Sequence, residues 1–93
     1  MNDEPIRIPI NGVLDLHTFS PRAVKDLVPT YLAECRERGI YQVRIIHGKG
    51  KGVLRDTVHA VLSKVPFVAS YRLGGDCAGG WGATLVVLSQ VEG

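Results

Sequence analysis

The chain has 93 residues, of which 45% are apolar and 22% are charged, and its formal net charge is +2. A chain of this length can build one hydrophobic core but not two, so we expect a single domain over residues 6–93 after a flexible tail over residues 1–5. No long apolar run follows the acidic start, so we expect neither a secretory signal nor a membrane span, and a cytoplasmic location. The two cysteines are far apart and in no metal-ligand spacing, which argues against a disulfide or a zinc site.

The positive charge is concentrated in the middle of the chain. Between residues 44 and 72 a single acid stands against six basic residues, which are Arg44, Lys49, Lys51, Arg55, Lys64 and Arg72. Such a segment can hold a phosphate backbone, and an ordinary solvated surface is the alternative that composition leaves open.

The first third of the chain predicts a strand and then a long helix. Val13 to Leu16 is the first clear strand, and the alternating isoleucines before it, at positions 6, 8 and 10, are compatible with an additional edge strand. Ser20 followed by Pro21 suits the start of a helix that runs to Arg38. Its apolar stripe is Val24, Leu27, Val28, Tyr31, Leu32 and Cys35, and Gly39 supplies the stop.

Pro29 lies inside this predicted helix. Proline has no amide hydrogen to donate to the preceding turn, so we predict a kink at this position.

The remaining chain predicts a second strand, a second helix and two more strands. Gln42 to Ile46 is β-branched and apolar, and a helix should begin near Val53 and end at Pro66. Phe67 to Leu73 alternates like a strand with one solvated face, whereas Ala83 to Leu88 is continuously apolar, as in a central strand. Five of the nine residues 74–82 are glycine, so we expect a loop there.

The predicted order is β-α-β-α-β-β. A right-handed crossover makes the first two strands parallel neighbours, and two helices can cover only one face of a four-stranded sheet. The fold class is therefore α/β, a two-layer α/β sandwich with a four-stranded mixed sheet, two helices on one face and an open face on the other.

Three titratable residues follow the ends of the first two strands. Leu14 and Leu16 should point into the helix layer, which leaves Asp15 and His17 exposed together on the other face. His47 follows the second strand, and ligands of open α/β sheets collect at the carboxyl ends of parallel strands. If the two strands are neighbours, the three side chains converge as candidate catalytic groups. Taken singly, Asp15 can equally be a structural acceptor, and each histidine a satisfied loop residue.

The segment between the second strand and the second helix places a glycine at every second position. Gly48, Gly50 and Gly52 leave backbone amides unshielded beside the positive end of a helix dipole, which predicts a phosphate-binding turn. Lys49 and Lys51 add charge, and Arg55 in the first helical turn can point the same way. A purely structural turn remains an alternative. The nucleotide-binding motif Gly-x-x-x-x-Gly-Lys-Ser/Thr is absent, and the glycine spacing does not match the fingerprint of dinucleotide-binding proteins.

Three further residues outside these motifs carry expectations. His59 lies off the apolar stripe of the second helix and should be a surface residue. Trp81, between two glycines, can stack on a base or plug the sheet edge. Tyr71 and Arg72 alternate on the third strand, so only one of them can face the open sheet.

The motifs taken together resemble the Smr (small MutS-related) domain, in that family's order. The match spans roughly Val13 to Leu88 and is carried by Leu14-Asp15-Leu16-His17, by Ile45-Ile46-His47-Gly48-Lys49-Gly50 with Gly52-Val53-Leu54-Arg55, and by Gly79-Gly80-Trp81-Gly82-Ala83-Thr84-Leu85-Val86-Val87-Leu88. The family has glycine where this chain has Thr18, so the loop after the first strand is expected to differ.

The resemblance implies a sandwich like the C-terminal domain of bacterial translation initiation factor three and a nicking or endonuclease activity on DNA or RNA. Family members occur alone or fused to MutS-like ATPases that act on DNA or on collided ribosomes, and to plant RNA-binding repeat proteins. Carried over position by position, the family's first motif falls on Asp15 and His17, and its glycine motif on His47, Gly48, Lys49 and Gly50. Together with the reasoning from the residues above, we expect catalysis by Asp15, His17 and His47. We expect nucleic-acid binding by Gly48, Lys49, Gly50, Lys51, Gly52, Arg55, Arg72 and Trp81. A non-catalytic nucleic-acid or ribosome-binding module is the alternative.

The two substrates call for different chemistry. In RNA, one histidine can remove the proton of the 2′-hydroxyl while the other protonates the leaving oxygen, and Lys49 stabilises the pentacoordinate charge. This route needs no metal. DNA offers no internal nucleophile, so a water must be activated, most simply by Mg²⁺ or Mn²⁺ held through Asp15. The sequence leaves both routes open.

Overall fold

The computed structural model describes residues 10–16, 18–48, 52–74 and 82–90. Four strands and two helices follow the predicted order, and the two helices cover one face of the sheet. The elements are β1 (Val13–Asp15), α1 (Pro21–Glu37), β2 (Gln42–Ile46), α2 (Val53–Leu62), β3 (Val68–Leu73) and β4 (Ala83–Leu88). The predicted two-layer α/β sandwich is confirmed. Neither helix within these ranges is long and apolar enough to cross a membrane.

Helix α1 begins and ends for the reasons that its sequence indicates. Ser20 has extended backbone, and its hydroxyl accepts a hydrogen bond from the Ala23 amide at 3.2 Å. Pro21 occupies the first position. Gly39 adopts a left-handed φ of 77° directly after the last turn, which ends the helix. The face toward the sheet buries Val24, Val28, Tyr31, Leu32 and Cys35. Pro29 lies inside the helix as predicted, and the kink stays a prediction.

Helix α2 ends earlier than predicted. Its last residue is Leu62, and the Lys64 and Val65 amides then bond to carbonyls three residues back, so the chain tightens into turns before Pro66. Val58, Leu62 and Val65 follow one another at helical spacing and are buried.

The sheet has the order β1-β2-β4-β3. The predicted parallel pairing of β1 with β2 is confirmed, and β4 pairs antiparallel with both β2 and β3. Strand β4 is therefore central, as its continuous apolar run predicts. Strand β1 ends one residue before the predicted Leu16, although the Leu16 amide still donates to the Ile46 carbonyl at 2.7 Å.

Strand β3 does not alternate strictly, contrary to its prediction. The register shifts between Val68 and Ser70, where β3 runs along the sheet edge beside β4. A bulge of this kind is a common feature of edge strands and shifts the facing of the residues that follow. Of the additional strand expected around positions 6, 8 and 10, only Ile10 lies within the described residues, and it packs on the core outside any strand.

Strand alternation separates a buried face from an open one. The buried face presents Leu14, Val43, Ile45, Val86 and Leu88 to the helices, each at most 3% exposed. The open face carries Val13, Asp15, Gln42, Arg44 and Val87.

The strand directions define two ends of the sheet. We call the end that holds Asp15, His47, Gly48, Gly52 and Thr84 the site end, because β1 and β2 finish there and α2 and β4 begin there. The opposite end, the distal end, holds Gly12, Gly39 and Ser89 together with the hydroxyl of Tyr31.

Candidate functional site

Asp15 closes β1 on the open face of the sheet. Leu14 and Leu16 on either side of it are fully buried, whereas Asp15 is exposed and lies opposite Ile46 of the neighbouring strand. The predicted inward and outward facing of these residues is confirmed. His17, the predicted companion of Asp15, lies outside the described residues.

His47 does not reach the face on which Asp15 lies. The two strand ends are neighbours as predicted, but His47 continues the inward series of Val43 and Ile45 and is only 4% exposed. The expected convergence of Asp15 and His47 is therefore corrected: Asp15 lies opposite Ile46, His47 is one residue further along β2, and successive side chains of a strand point to opposite faces.

Beneath α2, the imidazole of His47 is part of a buried polar cluster. Its Nε2 lies 2.8 Å from Thr84 Oγ1, and its Nδ1 lies 3.2 Å from the Gly48 carbonyl oxygen. The same Thr84 hydroxyl lies 2.8 Å from His59 Nε2, and the His59 ring stands 5.1 Å from the ring of Tyr71. We call His47, Thr84 and His59 the imidazole cluster. It joins β2, β4 and α2.

The expectation that His59 is a surface residue is wrong. Its side chain is half-buried and bonded to Thr84, since the flank of α2 beside Val58 leans over the start of β4. One signal in the sequence indicates that such a contact exists. Thr84 is the one hydroxyl residue in an otherwise apolar central strand, where a buried hydroxyl needs a partner.

Burial lowers the pKa of both imidazoles below the usual value near 6.5. For His47 the hydrogen bond to Gly48 works in the opposite direction, while His59 and Arg55 nearby lower the pKa further. For His59 the charge of Arg55 also lowers the pKa, and Asp56 raises it. Both rings are therefore neutral at neutral pH.

The start of the glycine-rich turn is held tightly. Gly48 has a left-handed φ of 87°, and its amide donates to the Gly82 carbonyl at 2.9 Å beside the His47 amide at 2.8 Å. The Gly48 amide is thus engaged within the protein, contrary to the expectation of unshielded amides at this position. Lys49, Gly50 and Lys51 lie outside the described residues.

Gly52 and Arg55 form the other end of the turn. Gly52 caps α2 in the left-handed region, at φ 88°, with no side-chain hydrogen bond to the first helical amides. A Cβ built on Gly52 would lie 2.5 Å from Arg55 Nη2, so the guanidinium folds back over the glycine. The prediction that Arg55 points toward the turn is confirmed. Arg55 Nε also lies 3.3 Å from the exposed carboxylate of Asp56.

Arg72 lies on the open face of the sheet. In the strand register Arg44 and Arg72 both stand opposite Leu85, so the two guanidinium groups flank β4 in one row. Tyr71 faces the helices, which confirms that only one of Tyr71 and Arg72 points to the open side. Trp81 lies outside the described residues.

The described residues do not assemble a metal site of protein ligands. Over these ranges no group of three histidine, cysteine or carboxylate side chains is close enough to hold one ion. Asp15 and Asp56 are exposed carboxylates at this end of the sheet but belong to no such group, and Mg²⁺ or Mn²⁺ takes about six oxygen ligands. Among the described residues the donor set is therefore too small for either ion.

A groove of about 680 Å³ lies away from this site, on the outer side of the helix pair. Its lining is mainly apolar and includes Pro29, Val61 and Phe67, with Lys25 and Lys64 at the rim. No residue of the imidazole cluster lines this groove, so the groove and the titratable residues lie in different places. The chemistry identifies the site end as the candidate.

Comparison with known proteins places the chain in a family. The model of the family described as the Smr domain matches residues 14–89. The chain belongs to the Smr domain family. Its Smr domain is 42% identical over 81 residues to endonuclease MutS2 of Halothermothrix orenii and 48% identical over 75 residues to endonuclease MutS2 of Clostridium novyi. These matches cover 87% and 81% of this chain but only 10% of each MutS2 protein.

Solved structures of Smr proteins share the fold. The crystal structure of the Smr domain of Thermus thermophilus MutS2 matches with a TM-score of 0.79 and 31% identity, over 84% of this chain and 98% of that one. YdaL, a stand-alone small MutS-related protein from Escherichia coli, matches with a TM-score of 0.79 and 26% identity, over 85% of this chain and 65% of that one.

Proposed function

We propose that this Smr domain binds nucleic acid at the site end through a backbone phosphate and cleaves the bound strand as an endonuclease. The observation that carries the proposal is the start of α2, where a left-handed glycine leaves the first helical amides without a side-chain cap and Arg55 folds over it. Amides at a helix start and a guanidinium are complementary to a phosphate group. The endonuclease part is supported by the similarity to the two MutS2 endonucleases.

The phosphate is held by the start of α2 and by the lysines of the turn before it. The amides of the first turn of α2 and the Arg55 guanidinium contact its oxygens, and Lys49 and Lys51 add positive charge from the turn itself. Gly48 contributes through its conformation, since its amide is already bonded to Gly82. Arg72 on the open face, with Arg44 beside it, contacts a more distant part of the strand.

Cleavage is assigned to Asp15, on the open face of the sheet, and to His17, while His47 is buried beneath α2 and takes no part in proton transfer. In RNA, His17 removes the 2′-hydroxyl proton as that oxygen attacks phosphorus, and a water molecule donates a proton to the departing 5′-oxygen, which leaves a cyclic phosphate. Lys49 stabilises the charge on the pentacoordinate phosphorus. Asp15 is exposed and lies two residues before His17 in the sequence, a spacing at which a carboxylate can orient an imidazole.

One observation favours the non-catalytic alternative, a nucleic-acid or ribosome-binding module. Both ring nitrogens of His47 are engaged in hydrogen bonds inside the protein, and the ring is almost fully buried. A histidine that exchanges protons with a substrate needs one nitrogen within reach of it. Such a module would bind strands with the same salt dependence and leave them intact.

Cleavage assays separate the two functions. Labelled RNA and supercoiled DNA are incubated with wild-type protein, Asp15→Asn and His17→Ala, each with and without chelator. We expect scission by the wild type and its loss in both variants, with cyclic-phosphate ends on RNA. Asp26→Asn makes the same chemical change at an exposed position of α1 and should cut normally. Intact substrates, or variants that cut like the wild type, would contradict the catalytic assignment.

Binding assays test the phosphate contact separately. Lys49→Ala and Arg55→Ala should weaken binding to all sequences alike and reduce the slope of log affinity against log salt by about 1 each. Arg38→Ala removes an arginine from the exposed end of α1 and should leave the slope unchanged. Unchanged affinity in Lys49→Ala and Arg55→Ala would place the phosphate elsewhere.

A further inference from the structure

We infer that Thr84 and His59 are positioning residues, which hold His47 in the tautomer protonated at Nδ1 and so fix the start of the glycine-rich turn. The inference rests on the proposed function where it concerns binding, because the turn is the proposed phosphate site. The tautomer and the conformation of the turn can be measured without any ligand.

The hydrogen bonds assign the protons one after another. The Gly48 carbonyl oxygen can only accept, so His47 Nδ1 carries a hydrogen. In a neutral ring the other nitrogen is then an acceptor, and the hydroxyl of Thr84 must donate to His47 Nε2. That hydroxyl has one hydrogen, so its remaining contact is an accepted bond, and His59 Nε2 carries a hydrogen. The two histidines are therefore held in opposite tautomers.

Burial makes this arrangement stringent. Thr84 is fully buried and His47 almost so, and no buried side-chain nitrogen or oxygen among the described residues lacks a partner. In the opposite tautomer, His47 Nε2 would donate a hydrogen to Thr84. Nδ1 would then carry a lone pair that faces the Gly48 carbonyl oxygen. Two acceptors would then face each other at 3.2 Å in a partly buried position.

Gly48, where the turn begins, is held by hydrogen bonds from the imidazole cluster and from Gly82. The His47 ring binds the Gly48 carbonyl, and the Gly82 carbonyl binds the Gly48 amide. Gly48 is thus held through both its peptide groups in the left-handed conformation. The Thr84 hydroxyl of β4 also bonds to His59 on α2. The end of β2 and the helix after the turn are therefore both hydrogen-bonded to this one hydroxyl.

The tautomers are measured by long-range ¹H–¹⁵N correlation spectra of the wild-type protein at neutral pH. We expect His47 to be protonated at Nδ1 and His59 at Nε2. Protonation of His47 at Nε2, or exchange of either ring between tautomers, would overturn the inference. Neither outcome depends on nucleic acid.

Paired variants test the effect on the turn. Thr84→Val keeps the shape and removes the hydroxyl, so we expect shifted Gly48 and Gly52 amide resonances, mixed His59 tautomers and an affinity for a labelled single-stranded RNA that is about three- to tenfold weaker. Thr84→Ser restores the hydroxyl and should restore all three measurements. His59→Gln keeps a donor toward Thr84 and His59→Leu does not, so only the second should resemble Thr84→Val.

Tyr31→Phe is the matched control, because it removes a buried hydroxyl at the distal end. It should lower stability and leave the tautomers and the RNA affinity unchanged. Wild-type amide resonances and RNA affinity in Thr84→Val would show that the cluster does not position the turn. If the wild type shows the expected tautomers and the Thr84 variants shift the Gly48 amide, but no RNA binds, the positioning role stands and the proposed function fails.

Discussion

The two ends of the sheet each contain a buried hydroxyl group that donates one hydrogen bond and accepts another. At the distal end the Tyr31 hydroxyl accepts from the Gly12 amide and donates to the Val13 carbonyl, both at 3.1 Å. At the site end the Thr84 hydroxyl joins two imidazoles. The first group links backbone atoms that never titrate, whereas the second links two side chains whose charge depends on pH.

The arginines at the two ends also differ in their partners. At the distal end, Arg36 donates to the carbonyls of Ser89 and Gln90 and lies 4.9 Å above the ring of Phe67. Arg55 at the site end lies over Gly52, and its contact within the described part of the chain is with the carboxylate of the exposed Asp56, at 3.3 Å. The polar groups of the distal end thus bond to backbone atoms and stabilise the fold, whereas the site end has charged and titratable groups beside Gly48 and Gly52.

The largest effect should come from removing the distal hydroxyl. Tyr31→Phe leaves the Gly12 amide and the Val13 carbonyl without that partner, and we expect a loss of about 1–3 kcal/mol in the free energy of unfolding. Urea denaturation measures the loss, and RNA binding by the folded variant should be unchanged. A weaker affinity in this variant would show that the two ends are coupled.

Acidification should act on the site end. Both described histidines have a lowered native pKa, so the unfolded chain binds more protons once the pH falls through about 6.5. The free energy of unfolding should fall by up to about 1.4 kcal/mol per pH unit for each histidine, and level off below the native pKa values. Urea titrations at several pH values measure the slope. His59→Gln should reduce it and Tyr31→Phe should not, and an equal slope in His59→Gln would contradict the assignment.

Two glycines separate backbone strain from ligand binding. Gly39 and Gly52 both have left-handed φ, so Gly39→Ala and Gly52→Ala should each cost about 1–2 kcal/mol. A new Cβ on Gly39 meets nothing within 4 Å, whereas on Gly52 it displaces the guanidinium of Arg55. Denaturation and RNA titration should show similar losses of stability, with weaker binding only in Gly52→Ala. Equal affinities would argue against a role for Arg55 at the phosphate.

The smallest effects are expected from the two arginines. Arg36→Ala removes partly exposed contacts and should cost about 0.5–1 kcal/mol of stability without changing RNA affinity. Arg55→Ala should do the reverse, because its pairing with Asp56 is exposed and contributes little. If both variants changed affinity equally, the functional difference between the ends would disappear.

Most of the fold could be predicted from local sequence. Ser20, Pro21 and Gly39 delimit α1 through capping and backbone preference, and β4 was predicted at its observed bounds from continuous apolar residues. The end of α2 and the bulge in β3 were missed. Both depend on how the chain meets its neighbours at the sheet edge, which periodicity does not report.

The candidate site was predicted in its parts and not in its arrangement. Asp15 on the open face and Arg55 over the turn followed from alternation and from position in the helix. His59 was misplaced, because its partner Thr84 is 25 residues away and one helix pattern cannot reveal a partner on another element.

The sequence by itself determined the element types, the sandwich, the family and the residues available for chemistry, since capping, periodicity and glycine preference are local properties. Only the tertiary structure decided that His47 turns inward to Thr84 while Asp15 turns outward. That outcome depends on β4 pairing beside β2 and on the relative register of β1 and β2, which are interactions between residues far apart in the chain.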